Sequence, residues 1–354
     1  MNKDMLDIYT DYLICQNQYA TATGLSRLVG GDLSHDQITR FLNKGELGSK
    51  NLWQYVKAEI RKQEQDKGGV FIVDDTIEEK PYTDVNDTVC WHYSHAKGVC
   101  VKGVNILSGL IRYDDFALPV AFEAVRKDVH FCDIEAKREQ RKSSLTKNEL
   151  LHGMLQQSVN NGLKFEYVLA DNWFGSRKNM EFIHSELGRK FIIGMKSNRL
   201  IAFSEEESKK GQYQNINSLD IEGEEMREVW LKSLPFPVKL LKKVFKNENG
   251  TTGTLYLVTN DLNLDADQIY EIYKKRWRIE EYHKSIKQNG SLAKSPTKVS
   301  ISQRNHIFAS IIAYCKLEFL RSKTALNHFA LKYKLILRAN QVAYQELQQM
   351  KLAA

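Results

Sequence analysis

Cysteine is scarce and badly arranged for structure. The five cysteines (Cys15, Cys90, Cys100, Cys132 and Cys315) are odd in number, scattered, and contain no Cys-x-x-Cys pair. This argues against a disulfide framework and a zinc knuckle, and it points to a reducing cytosol. Long apolar runs are also missing. No stretch is long enough to span a bilayer, and the N-terminus has no signal-peptide pattern, so no membrane partner is expected. Proline is rare, with five residues; Pro235 and Pro237 share one turn and Pro296 falls in a loop.

What remains is ordinary globular material with one exceptional region. The 354 residues suffice for two or three domains, and 42% hydrophobic with 27% charged residues fits a folded soluble chain. The net charge is +7, and residues 270–322 alone hold eleven Lys or Arg against four Glu. The rest of the chain is therefore near neutral. Such a concentrated basic segment favours a polyanionic partner.

Within that segment lies Tyr273-Lys-Lys-Arg-Trp-Arg-Ile-Glu-Glu-Tyr-His-Lys-Ser-Ile-Lys287, without Gly or Pro. A helix from Asp265 to about Lys287 is expected. At roughly 100° per residue, Tyr273, Arg276, Glu280 and Lys287 fall within about 60° on it. One face then presents a phenol, a guanidinium, a carboxylate and an ammonium. This suits a metal-bound phosphate, with the acid on the metal and the cations on phosphate oxygens. The competing reading is a solvated face stitched by i,i+4 pairs such as Arg276 with Glu280.

Upstream the pattern supplies two more acids. The N-terminal segment is helical, with a Gly30-Gly31 break and a capping box at Ser34-His-Asp-Gln37. Two short helices around that turn make a weak helix-turn-helix, with His35, Gln37 and Arg40 as groove-facing candidates. A charged helix over Trp53 to Lys67 ends at Gly68-Gly69. Val70-Phe-Ile-Val-Asp-Asp-Thr76 then reads as a buried strand with Asp74 and Asp75 at its end. The polar loop Glu78 to Lys97, with Trp91, His92, Tyr93, His95 and Lys97, suits either a nucleic-acid groove or a packed surface. Val99–Arg112 and Phe116–Val125 form a hairpin, and Lys127–Lys147 reads as a mobile connection or solvated helix. After a helix over Asn148–Val159, Phe165-Glu-Tyr-Val-Leu-Ala-Asp171 is again a strand ending in an aspartate. A helix over Ser176–Ser185 and a strand at Lys190–Lys196 follow. Strands at Glu224–Leu231, Val238–Phe245 and Thr252–Val258 read as a separate β-rich piece, and Gln303–Arg321 as a helix with one buried face. The order is that of an α/β protein with a mixed sheet.

With Asp75 and Asp171 at strand ends and Glu280 on a later helix, the chain resembles the DDE transposases of the bacterial insertion sequence four family. Tyr273, Arg276, Glu280 and Lys287 match the family's Tyr-x2-Arg-x3-Glu-x6-Lys signature. The family's strand followed by Asp-Thr selects Asp75 over Asp74, which is left as a neighbour or a partner of the metal ligand. Asp171 matches the second acid. The resemblance covers roughly residues 70–325.

The resemblance implies a ribonuclease-H-like core in residues 68–197 and 263–325, interrupted by a β-rich insertion at 198–262. A helical N-terminal region, 1–67, and a helical C-terminal segment, 326–354, flank it. It also implies two Mg²⁺ or Mn²⁺ ions on Asp75, Asp171 and Glu280, a choice that carboxylates alone do not make. Tyr273, Arg276, Lys284 and Lys287 would contact DNA, as would His35 and Arg40. An aromatic of the insertion, Trp230, would hold a flipped base, with Trp173 and Trp277 as rivals. The implied partners are the terminal inverted repeats and target DNA, bound by a homodimer in the bacterial cytoplasm. A phosphatase fits poorly, because Asp74-Asp75-Thr76 lacks the Asp-x-Asp spacing. A nuclease that cuts without joining, and a DNA-binding protein of transposon origin, remain as alternatives.

Overall fold

The computed structural model describes residues 3–64, 68–95, 97–135, 137–218, 225–246 and 250–353. The expected positions Lys67 and Glu224 lie outside them. Four helices open the chain: α1 (Lys3–Cys15), α2 (Ala22–Leu28), α3 (His35–Asn43) and α4 (Ser49–Gln63). The Ser34–Gln37 capping box is formed and starts α3. These helices lie against the core. Tyr9 bonds His306 at 2.9 Å, Asn305 donates to the Leu42 and Gly45 carbonyls, and Ser49 donates to the Phe122 carbonyl at 2.7 Å.

The sheet is built from β1 (Val70–Glu79), β2 (Cys90–Ser94), β3 (Val99–Tyr113) and β4 (Phe116–Ala124). β5 (Val129–Asp133) and β6 (Arg138–Lys142) form a small hairpin of their own. Then come α5 (Lys147–Asn160), β7 (Tyr167–Ala170), α6 (Arg177–Glu181), β8 (Lys190–Met195), β9 (Leu200–Ala202), α7 (Glu205–Lys209) and β10 (Gln214–Asn215). The next strands are β11 (Glu225–Leu231), β12 (Val238–Lys246) and β13 (Thr252–Thr259). Helices α8 (Ala266–Lys274), α9 (Arg278–Gln288), α10 (Ser300–Thr324) and α11 (His328–Ala353) follow.

β1 is central, antiparallel to β3 and parallel to β7, and β7 is parallel to β8. The sheet is therefore mixed, consistent with a ribonuclease-H-like DDE fold. The strands of 198–262 are not a sheet apart. β13 pairs with β8 (Leu257 opposite Gly194), and β12, β11, β9 and β10 continue outward from it. The apolar alternation of Leu255, Leu257 and Val258 identifies a strand; it carries no record of which edge that strand will join.

Two other expectations need correction. Residues 127–147 contain the β5–β6 hairpin rather than a loose connection or helix, with the Lys142 ammonium 5.4 Å over the Phe131 ring and Ser144 closing the base on Asp128. The helix carrying the signature also changes pitch. Residues Lys275–Trp277 form a tighter 3₁₀ turn between α8 and α9, with right-handed helical backbone on either side. Arg112 donates at 3.3 Å to the Lys275 carbonyl, which also accepts from the Arg278 N–H.

α10 is buried nearly all round, from Ile307 to Leu317, because it runs between the N-terminal helices and β4. No helix among the described residues is long and apolar enough to cross a membrane.

Candidate active site

Strand register places the acids. Val73 is the last β1 residue paired with β7, opposite Ala170. The next residue on each strand is therefore an aspartate: Asp74 on β1 and Asp171 after β7. Neighbouring strands lie about 4.8 Å apart, so these two backbones emerge side by side. Asp75 is one step further, and in a strand one step reverses the face.

That reversal decides which aspartate meets the helix. The Arg276 guanidinium donates to Asp74 at 3.2 Å and to Glu280 at 3.4 Å. One donor atom from each of Asp74, Glu280 and His283 lie within 4.8 Å of one another. The Asp75 carboxylate instead accepts from Lys147 (2.8 Å) and Asn105 (2.7 Å) on a single oxygen. The structure thus brings Asp74 to Arg276 and Glu280, and Asp75, expected as the first acid, to Lys147 and Asn105. The spacing rule was available in the sequence. What it could not supply was the face on which α9 packs.

The electrostatics of the cluster follow from its burial. Desolvation, with Asp171 beside it, pushes the Asp74 carboxyl up to about 7, against the opposing pull of Arg276. Burial pulls the His283 imidazole down to about 3, so it is neutral, and its Nε2 has no hydrogen-bond partner among the described residues. Two crowded carboxylates and a neutral imidazole are a donor set that accepts a divalent cation. The residues present therefore fit a metal. Asp171 lies outside the 4.8 Å group; its Oδ1 accepts from the Trp173 backbone at 2.9 Å, and its charge acts on Asp74, Tyr273 and Arg276. Glu280 and His283 stand three apart on α9, the Glu-x-x-His spacing by which one helix face offers two donors. That spacing was legible in the sequence and went unused.

The remaining signature residues surround this cluster unequally. Tyr273 lies beneath Arg276, whose guanidinium is 5.8 Å over its ring. Lys287 donates to the Ile77 carbonyl of β1 at 2.8 Å, and burial lowers its pKa. Lys284 is exposed and sits 5.1 Å over the Phe329 ring. Trp277 is 64% exposed and adjoins Arg276, whereas Trp173 packs on Phe174 and carries Lys147 over its face. Trp230 is half-buried on β11 opposite Ala202. His35, Gln37 and Arg40 are exposed on α3, away from the acids in sequence and held by Ile38 and Leu42 against the core.

Gly194 on β8 keeps this corner tight. A Cβ there would stand 2.9 Å from the Asn172 nitrogen and 3.2 Å from the Tyr273 hydroxyl. The first contact is backbone and cannot rotate away. Gly194→Ala is expected to cost about 1–3 kcal/mol by overpacking and to displace the turn after Asp171. Urea unfolding beside DNA cleavage would show both losses; unchanged values in the two would contradict this packing.

A model described as DDE superfamily endonuclease matches residues 1–215, which include Asp74 and Asp171. A model described as Transposase DDE domain matches residues 125–316, which include Asp171 and Glu280. No curated protein matches the chain. Each model spans more than half of the sequence, and together they extend over all three acids: the chain belongs to the DDE superfamily of metal-dependent endonucleases and transposases.

Proposed function

We propose that the chain is a transposase of the insertion sequence four type, which cleaves DNA at the terminal inverted repeats of its own element and joins the freed 3′-ends to target DNA. The observation that carries this reading is the convergence of Asp74, Glu280 and Arg276 beside Asp171. Asp74, Asp171 and Glu280 would hold the metal, two Mg²⁺ or Mn²⁺ ions in the full site, with His283 beside them. Ions held there would supply Lewis-acid chemistry for a phosphoryl transfer.

The protein's own groups do the rest. Arg276 offers charge-assisted bonds to a non-bridging phosphate oxygen from a position already shared with the acids. Tyr273 supports that guanidinium from below. Lys287 ties α9 to β1 and so fixes Glu280 relative to Asp74. Exposed Lys284 suits a backbone phosphate nearby, and Trp277 is better exposed than Trp230 or Trp173 to stack on an extruded base. His35, Gln37 and Arg40 present a polar face that a DNA groove can take. Exposed Tyr333, Leu337, Tyr344, Leu347 and Met350 along α11 support pairing of two copies.

A joining assay tests this reading. Protein, Mg²⁺, a duplex carrying the element end and a plasmid target are combined, with Glu280→Gln in parallel. Joined product from the parent and none from the variant is expected. Cut ends without joined product would leave a nuclease, and bound but uncut DNA a binding protein.

A further inference from the structure

We propose that the cleft between the β2–β3 ribbon and the β5–β6 hairpin holds unpaired DNA, with one base stacked on Trp91 in the cleft, the next on Tyr93 beside it on β2, and phosphates met by Lys127 and Arg141. The proposal rests on DNA being the substrate and adds a second binding surface outside the cluster of acids.

β2 is the last strand at its end of the sheet. Its residues alternate strictly: Cys90 and His92 are buried, while Trp91 and Tyr93 are 55% and 54% exposed. Side chains two apart on a strand repeat at about 7 Å, a reach that one nucleotide of an extended strand can match. Two large rings on one open face, at that repeat, form a stacking platform rather than a core stripe. His95 packs on the Tyr93 ring in a T-shaped contact at 5.0 Å.

The opposite wall is basic. Lys127 donates to the Trp91 carbonyl at 2.6 Å, which anchors the start of the β5–β6 hairpin on the edge strand. The cleft so formed is about 690 Å³ and is lined by Trp91, Cys100, Lys127, His130 and Arg141, with Glu139 as its acid. Lys127 and Arg141 outweigh that carboxylate and match a phosphate chain. The shape selects among DNA forms. Only an unpaired base offers a free face to these rings, and a duplex keeps its faces covered. The source of such a strand is near. Trp91 pairs with Lys102 of β3 and Asp74 with Ser108, six residues further along the same strand, so the platform stands about 20 Å along the sheet and about 10 Å across it from Asp74. A few unpaired nucleotides span that distance between the acids and the platform.

The test uses the full chain and a fluorescein-labelled oligothymidylate of a dozen residues. Trp91→Ala combined with Tyr93→Ala is expected to weaken binding about 10-fold or more, and Trp91→Phe with Tyr93→Phe to keep it within about threefold. Photocrosslinking of the unaltered protein to iododeoxyuridine-substituted oligonucleotide is expected to give adducts on Trp91 or Tyr93. Equal binding by the double alanine variant, no binding by the unaltered protein, or adducts confined to other segments would overturn the proposal. Duplex-end cleavage, measured in the same preparations, separates its failure from failure of the transposase reading: the cleft falls alone if the parent cuts and joins while its adducts map elsewhere.

Discussion

Asp74→Asn is expected to slow cleavage of an element-end duplex by about a thousandfold, whereas Asp75→Asn stays within about tenfold of the parent. The first figure corresponds to about 4 kcal/mol of lost transition-state stabilisation, the scale on which a metal-holding carboxylate acts. The contrast follows from strand geometry. Asp74 faces Arg276 and Glu280; Asp75 faces Lys147 and Asn105. Asparagine at 74 keeps the shape and the acceptor but loses the charge. Asparagine at 75 leaves Lys147 without its counter-charge in a half-buried setting, so its effect appears in stability more than in rate. Single-turnover cleavage, with thermal unfolding of each variant, separates the two. The reverse order of rates would return Asp75 to the centre.

The second large effect lies behind the site, at Glu318. This carboxylate is fully buried and joins three elements: Arg278 of α9 at 3.0 Å, Arg321 of α10 at 2.9 Å and His328 of α11 at 2.9 Å. Glu318→Ala would remove the buried acceptor that Arg278, Arg321 and His328 share, at a cost of about 3–5 kcal/mol. It would also loosen α9, the helix that carries Glu280. Burial alone would raise the Glu318 pKa, but the His328 and Arg321 hydrogen bonds and the Arg278 charge prevail and hold it down to about 2. A carboxyl depressed from 4.5 in this way stabilises the fold fully above pH 4.5 and loses that contribution as pH falls toward 2. The loss is on the order of 3 kcal/mol. Urea midpoints measured from pH 6 to pH 2.5 should therefore fall more steeply in the parent than in Glu318→Gln; parallel slopes would contradict the network.

These two sites show what was legible and what was not. The strand carrying Asp74-Asp75 and the one leading into Asp171 stood out because short β-branched runs next to carboxylates are a local signal, although β1 runs on to Glu79. The signature from Tyr273 to Lys287 was local too. The choice between Asp74 and Asp75 was not, because it depends on which face of β1 receives α9. Arg112 lies far from Lys275 in sequence, so its bond to the 3₁₀ turn of the signature helix had no local mark. The same holds for β13, whose alternation announced a strand but not its pairing with β8. Glu318 had no local mark either, since Arg278 and His328 reach it from two other helices.

The most direct measurement is anomalous diffraction from crystals of the protein soaked in Mn²⁺. The account predicts a manganese peak beside the carboxylates of Asp74 and Glu280. A peak on the Lys147 side of β1, against Asp75, or no peak at the Asp74–Glu280 cluster at saturating Mn²⁺, would contradict it.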